Sequence, residues 1–305
     1  MTAILFNKLV SMFLILFSAV LAVRLGVIRS EESKPLSGIF IYLILPCMWI
    51  SAFQIEFTQE NLNRFLLAMV NAVVIHGVFI LLAGALKKPM KLLPVEQDVL
   101  IYTNGGNLIF PLIAAVLGDD WVIYGMAFVL VQNMLLWTHG KAVMAGPKSF
   151  RIRDLFSVNI ISGFVGAALF FAGIRLPPLL GSAVKSVADM LGPMTMIYTG
   201  LLLGGVSFST LVSFRRIWIP ILFRLVLFPL VIVLIFRLAP DLPRVPDAGN
   251  VFVVSLMAAA GPCATSVPMF AQIYGKDYQY ASVINLTTTL LCILTLPAMV
   301  FLYRL

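Results

Sequence analysis

Charge is what this sequence has least of: Asp, Glu, Lys and Arg make up 11% of its 305 residues, and histidine occurs only twice. A soluble domain carries charge on roughly a quarter of its residues, so a soluble globular chain is excluded. Cysteine is scarce as well. Cys47, Cys263 and Cys292 stand inside apolar stretches without metal-ligand spacing, which argues against a thiolate metal site and leaves them as small buried hydrophobes. Also missing are Gly-x-Ser-x-Gly, His-Glu-x-x-His and any spaced acidic pair suited to a diphosphate, so the equipment of a hydrolase or lipid-modifying enzyme is absent. The net charge of +8 comes from 21 basic residues scattered among short loops rather than gathered in a patch. No nucleic-acid partner and no cofactor are expected.

What the chain does have is apolar length, with 61% hydrophobic residues and a mean hydropathy of +1.04. A hydrocarbon core of ~30 Å takes about 20 apolar residues per helix. Ten runs fit, at about 4–23, 36–54, 63–84, 97–118, 121–140, 157–174, 182–206, 217–237, 250–274 and 279–303. The first is too long and too little basic at its start for a cleavable signal, so it is read as a span. The expectation is an all-α membrane protein of ten transmembrane helices.

Orientation follows from the basic residues, which are retained on the cytoplasmic side. Connections after odd-numbered spans hold Arg24, Arg29, Lys34, Lys87, Lys88, Lys91, Lys141, Lys148, Arg151, Arg153, Arg215, Arg216 and Lys276. The opposite side has only Lys8, Arg64, Arg175, Lys185, Arg237, Arg244 and Arg304. Both termini are therefore expected outside. The central connection "GKAVMAGPKSFRIRDLFS" divides the chain into a first five-helix repeat (1–143), a cytoplasmic basic linker (144–156) and a second five-helix repeat (157–305). Five spans per half means the second half enters from the opposite face, an inverted repeat.

The repeat has a sequence echo. "PLIAAVLGDDW" from Pro111 and "PMFAQIYGKDY" from Pro268 are offset by 157 residues, with Pro, Ala, Gly and Asp coinciding at Pro111 and Pro268, Ala114 and Ala271, Gly118 and Gly275, Asp120 and Asp277. A weaker echo pairs the segments around Pro46 and Pro193. Proline breaks a helix interior but is tolerated in the first turn. Upstream of Pro111 lie Asn104, Gly105, Gly106 and Asn107; upstream of Pro268 lie Gly261, Pro262, Thr265 and Ser266. The eight residues from Pro111 to Gly118 make about 12 Å of helix, so a half-helix is expected to start near the midplane. Spans 4 and 9 are predicted to be broken. Unwound backbone at that depth must line protein or a water-filled cavity, and half-helix amino termini aimed at the centre favour an anion such as a carboxylate.

The residues at this point resemble the auxin efflux carrier family of bacterial permeases and plant auxin exporters, a likeness that covers essentially the whole chain. It rests on the five-plus-five layout, on Asn104 seven residues before Pro111-Leu112, on "VQNMLLWTHGK" in span five, and on "AAAGPCATSVPMFAQIYG" and "LCILTLPAMV" in spans nine and ten. The resemblance implies broken helices that cross at spans 4 and 9, a scaffold of spans one, two, six and seven, elevator-like movement of the rest, and organic-anion substrates. The central loop is shorter than in the plant members, and the spacing around Pro262 is one residue longer, which leaves the assignments from Cys263 to Ser266 open.

Asn104, Asn107, Gln132, Asn133, Thr265 and Ser266 are the candidate substrate contacts, set against ordinary helix-to-helix hydrogen bonding, the role read for Asn285 and Thr287 to Thr289. Three ionisable groups are candidates for coupling. His76 sits mid-span, either as a proton carrier or as a neutral core histidine. Arg224 lies about seven residues inside span eight, where its side chain either snorkels to the interface or meets substrate. Asp189 either pairs with Lys185 four residues before it or moves protons. Asp98 is read as favouring the amino terminus of span four. The expected function is secondary transport of a small organic anion across the membrane of a bacterial cell, with a proton or sodium as coupling ion and a homodimer as the candidate assembly. The nearest alternative is a sodium-coupled symporter of the bile-acid type; a channel and an intramembrane enzyme rank below it.

Overall fold

The computed structural model describes residues 2–146, 158–205, 215–239 and 245–305. Lys148, Arg151, Arg153 and most of the 144–156 linker lie outside the described residues, as does Arg244. Among the described residues the chain is helical without strands, and its one element of sheet pairing is an isolated bridge. Among the described residues six helical stretches are long and apolar enough to cross a bilayer: Ile4–Arg24, Gln59–Lys87, Asp119–Ala145, Pro178–Gly205, Trp218–Arg237 and Tyr278–Arg304. Side chains such as Leu14, Phe17 and Leu21 on the first and Leu66, Val70 and Leu81 on the second are exposed. Helices apolar on the outside as well as the inside suit a lipid solvent, because every backbone bond closes within the segment.

The helices follow in order as α1 (Thr2–Arg24), α2 (Ser33–Ile39), α3 (Leu45–Ala52), α4 (Gln59–Lys87), α5 (Pro94–Ile101), α6 (Ile109–Leu117), α7 (Val122–Leu135) and α8 (Lys141–Ala145). After the linker come α9 (Val158–Phe171), α10 (Pro178–Ala188), α11 (Leu191–Gly205), α12 (Trp218–Leu222), α13 (Phe228–Arg237), α14 (Ala248–Ala259), α15 (Ser266–Ile273) and α16 (Tyr278–Arg304). Wide π turns at Phe40–Ile44, Leu136–Gly140 and Phe223–Leu227 join α2 to α3, α7 to α8 and α12 to α13 without ending the rod. Proline opens α5 and α10 at the first position, where its missing N–H costs nothing, whereas Pro46 and Pro229 directly follow π turns inside continuous rods.

Two groups of helices result. In one, α1 lies along α11, and α3 packs on α9 and α10. The first contact depends on Gly200-x-x-x-Gly204: a Cβ on Gly200 would sit 2.4 Å from the Leu16 carbonyl oxygen, and one on Gly204 would sit 2.6 Å from Val23 Cβ. Small residues four apart let two membrane helices approach closely, and dispersion contact then holds them where no hydrophobic drive exists. In the other group, α4 packs on α7, α14 packs on both, and α16 gathers α13, α14 and α15. The groups meet where α1 touches α16 and where α6 touches α1 and α11; a Cβ on Gly192 would come within 3.1 Å of two atoms of the Pro111 ring.

Candidate functional site

Helix α5 stops at Ile101 and α6 starts at Ile109, while α14 stops at Ala259 and α15 starts at Ser266. The sequence places the helix start at Pro111; the structure begins α6 two residues earlier, with Pro111 as its third residue. Pro268 is likewise third in α15. Both prolines thus occupy the first turn, where the N–H groups have no intrahelical partner.

Between the helices the two interrupted stretches pair with each other in antiparallel fashion at Thr103 and Cys263. The Asn104 N–H donates to the Pro262 carbonyl at 2.7 Å, and the Ala264 N–H donates to the Tyr102 carbonyl at 3.0 Å. The amide groups of Thr103 and Cys263 themselves point away from this bridge and need other partners. On one edge Gln132 of α7 supplies both: its Oε1 accepts from the Thr103 N–H at 2.8 Å, and its Nε2 donates to the Thr103 carbonyl at 2.8 Å. On the other edge two residues of α16 divide the task. Thr288 Oγ1 accepts from the Cys263 N–H at 3.1 Å, and Asn285 Nδ2 donates to the Cys263 carbonyl at 2.7 Å. The backbone of Thr103 and Cys263 is thereby satisfied by protein, as unwound chain at membrane depth requires.

The carboxyl ends of α5 and α14 share one cation. Arg224, on the π turn Phe223–Leu227, is fully buried. Its Nη2 donates to the carbonyls of Ala259 at 2.6 Å and Gly261 at 2.9 Å, its Nε to Gly261 at 3.2 Å and its Nη1 to Leu100 at 3.1 Å. The Phe79 ring lies over the guanidinium at 5.4 Å. The sequence reading offers snorkelling or substrate contact for Arg224; the structure places its charge on backbone carbonyls instead. A positive charge there offsets the negative ends of both helix dipoles.

At the amino ends of α6 and α15 nothing comparable is present. Asn104 is buried and Asn107, Thr265 and Ser266 are half-buried, and their side chains have no hydrogen bond among the described residues. Gln132 differs, since its amide is already used on Thr103. Asn133, the next residue of α7, is half-buried and lies about 100° further round that helix. Gly105 fits a tight place: a Cβ would stand 2.9 Å from Thr103 Oγ1 and 3.3 Å from the Phe128 ring. Gly106 has ordinary room and lends its carbonyl to the Phe110 N–H.

The groups read as coupling candidates separate. His76 is fully buried, its Nδ1 2.7 Å from the Ala72 carbonyl and its ring 4.6 Å from that of Phe128. A carbonyl only accepts, so Nδ1 carries a proton. Asp189 is exposed and pairs with Lys185 at 3.2 Å, and Lys185 also reaches Asp119 at 2.8 Å. These three line a cavity of about 370 Å³ together with Lys8, Ser51 and Pro111, at the seam between α6 and the α3, α10 and α11 group.

Asp98 does not have the role read for it. The amino terminus of α5 is closed by Glu96, whose Oε2 accepts from the Leu93 N–H at 2.7 Å. Burial alone would push the Glu96 carboxyl up, but Arg216, Tyr280 and that N–H hold it below the usual carboxylate range. Asp98 is fully buried two residues further on, and among the described residues no donor reaches either of its oxygens.

A family model described as membrane transport protein matches residues 4–149 and 147–300. The chain belongs to this family, the auxin efflux carriers. No match to a curated protein reaches significance. The chain is therefore an integral membrane transporter, with a transported substrate and the lipid bilayer as its partners. Three residues of this transporter's crossing escape the sequence reading: Asn285 and Thr288 are read as helix-to-helix ties, and Arg224 as a coupling group. One signal was available. Gln132 carried forward by the 157-residue offset lands at position 289, beside Thr288.

Proposed function

We propose that this transporter is a secondary carrier of small organic anions, binding a carboxylate where α5 and α6 cross α14 and α15. The observation that carries this reading is the asymmetry of the crossing. Two helix carboxyl ends are neutralised by Arg224, while the two amino ends stand beside Asn104, Asn107, Thr265 and Ser266, whose polar side chains have no hydrogen bond among the described residues. The uncompensated partial charge there is positive, and amides and hydroxyls that donate hydrogen bonds surround it. An anion answers both features.

The wider architecture in this reading is ten spans in two inverted five-helix repeats, with α5–α6 and α14–α15 as the broken spans 4 and 9. Both termini lie outside in a bacterial inner membrane, where the basic connections set the orientation. Movement is elevator-like: the group holding the crossing slides against the α1, α3, α9, α10 and α11 group. The cavity of about 370 Å³ along Pro111 is the approach from one side, within the size range of small-molecule sites. A homodimer built on the static group is the assembly that fits such movement.

The test is uptake of labelled acetate, malonate, succinate and indole-acetate into proteoliposomes, comparing wild type with Asn104→Ala and Thr265→Ala. Wild type is expected to accumulate at least one of these, and each variant to raise KM without loss of folded protein. Absence of uptake for every carboxylate would sink the anion assignment. Unchanged kinetics in both variants would move the site elsewhere.

A further inference from the structure

Two carboxyls stand two residues apart on α5, both with no solvent exposure. Glu96 has donors on both oxygens: Arg216 Nε at 2.7 Å, Arg216 Nη2 at 2.9 Å, Tyr280 Oη at 2.7 Å and the Leu93 N–H at 2.7 Å. Asp98 has none on either oxygen. A carboxylate buried without a donor or counter-charge is far more costly than a buried neutral acid, so only the protonated form fits these surroundings.

Among the described residues no counter-charge pairs with Asp98, and neither Tyr102, one turn further on, nor Cys263, across the bridge, places a donor on its oxygens. The Tyr102 hydroxyl points elsewhere, donating to the Leu135 carbonyl at 3.0 Å and meeting His139 Nδ1 at 2.9 Å. Of the charged or titratable groups on packed elements, Arg224 is taken up by three carbonyls, Tyr280 holds Glu96, His76 of α4 is tied to Ala72, and Lys141 of α8 has its own partner. A metal cation would need several oxygens converging on one point. The backbone carbonyls of the next turn are engaged: Leu100 accepts from Arg224, Tyr102 from the Ala264 N–H, and Thr103 from Gln132. Among the described residues no cluster of three His, Cys, Asp or Glu could hold a metal ion.

Resting on the transporter reading above, we propose that Asp98 binds the proton that travels with the organic anion. Asp98 lies one helical turn, about 6 Å, before Tyr102, whose carbonyl is part of the bridge between the two breaks. With the bridge closed the carboxyl is shut away from water and neutral. On a side where the crossing opens to water, the acid gives its proton to water, leaving a carboxylate and hydronium, and on the other side the reverse step restores it. An ionised Asp98 would set a second negative charge beside a bound anion, so anion and proton are favoured together. Carrying one proton with each monocarboxylate makes the net transport electroneutral.

Two measurements decide this. The first needs no substrate: infrared spectra of purified protein across a pH titration, for wild type and Asp98→Asn. Wild type is expected to keep a protonated carboxyl C=O band at neutral pH, and Asp98→Asn to lack it while melting as wild type does. A wild-type spectrum at neutral pH with only ionised carboxylate bands would overturn the proposal. The second uses proteoliposomes and the labelled carboxylates named above. An imposed pH gradient is expected to stimulate wild-type uptake, and Asp98→Asn to lose that stimulation while still exchanging labelled for unlabelled anion. Retention of stimulation in Asp98→Asn, or stimulation of wild type by a sodium gradient instead, overturns it as well. If wild type moves no carboxylate under any gradient, the anion reading fails on that result alone, and the infrared band still reports whether Asp98 holds a proton.

Discussion

The two breaks solve one problem with different residues. At the first, a single amide, Gln132, satisfies both backbone groups of Thr103; at the second, Asn285 and Thr288 take the carbonyl and the N–H of Cys263 one each. The carboxyl ends behind them are not solved twice, because Arg224 serves both. The geometry needed is fixed by the backbone, which must be satisfied edge by edge, while the side chains that provide it are free to differ. The shared cation also makes the halves interdependent in a way the bridge alone does not.

This comparison ranks the expected effects of substitution. Arg224→Leu strips both helix ends at once and leaves three carbonyls facing no charge, so a loss of about 3 to 5 kcal/mol is expected, read as a large fall in thermal stability in detergent. Gln132→Leu removes both partners of Thr103, for about 2 kcal/mol at roughly 1 kcal/mol per orphaned backbone group. The Asn285→Leu, Thr288→Val pair should match it if the two edges are equivalent. A double variant no worse than either single would show that they are not. Thr288→Val alone orphans one backbone group and is expected to cost about 1 kcal/mol, half the effect of the pair.

The smallest effect concerns Glu96. Its carboxyl is held below its unfolded value, so its contribution to stability is fully present above the unfolded pKa and is lost as pH falls through the lower folded one. Melting curves should therefore drop on the acid side of the ordinary carboxylate range in wild type and drop less in Glu96→Gln. An equal acid dependence in both would assign it to other carboxyls.

The membrane class and the approximate places of both breaks were legible, because apolar length, glycine and proline act through short stretches of chain. Pro111 and Pro268 mark the starts of α6 and α15 to within two residues. What could not be read was who satisfies the breaks. Gln132 stands 29 residues from Thr103, Asn285 stands 22 from Cys263, and Arg224 stands 124 from Leu100. Such partners are chosen by packing, and neither spacing nor composition announces them. Arg224 misleads for a related reason: a buried arginine in a span suggests a ligand, whereas here the exposed helix ends left by the breaks already demand a cation. Asp98 misleads in reverse, since a carboxylate near a helix start reads as a cap until Glu96 is seen to hold that position.

The bridge between Thr103 and Cys263 joins residues 160 positions apart, and that separation sets a timetable for synthesis. At roughly 5 to 20 residues per second, about 8 to 30 s pass between the emergence of the two breaks. Gln132 emerges within a few seconds of Thr103 and can occupy one edge of the first break, but the Tyr102 carbonyl and the Asn104 N–H have no native partner until the second half arrives. The edge of the first break therefore stays open until the second half is made, and the crossing can close only late in synthesis.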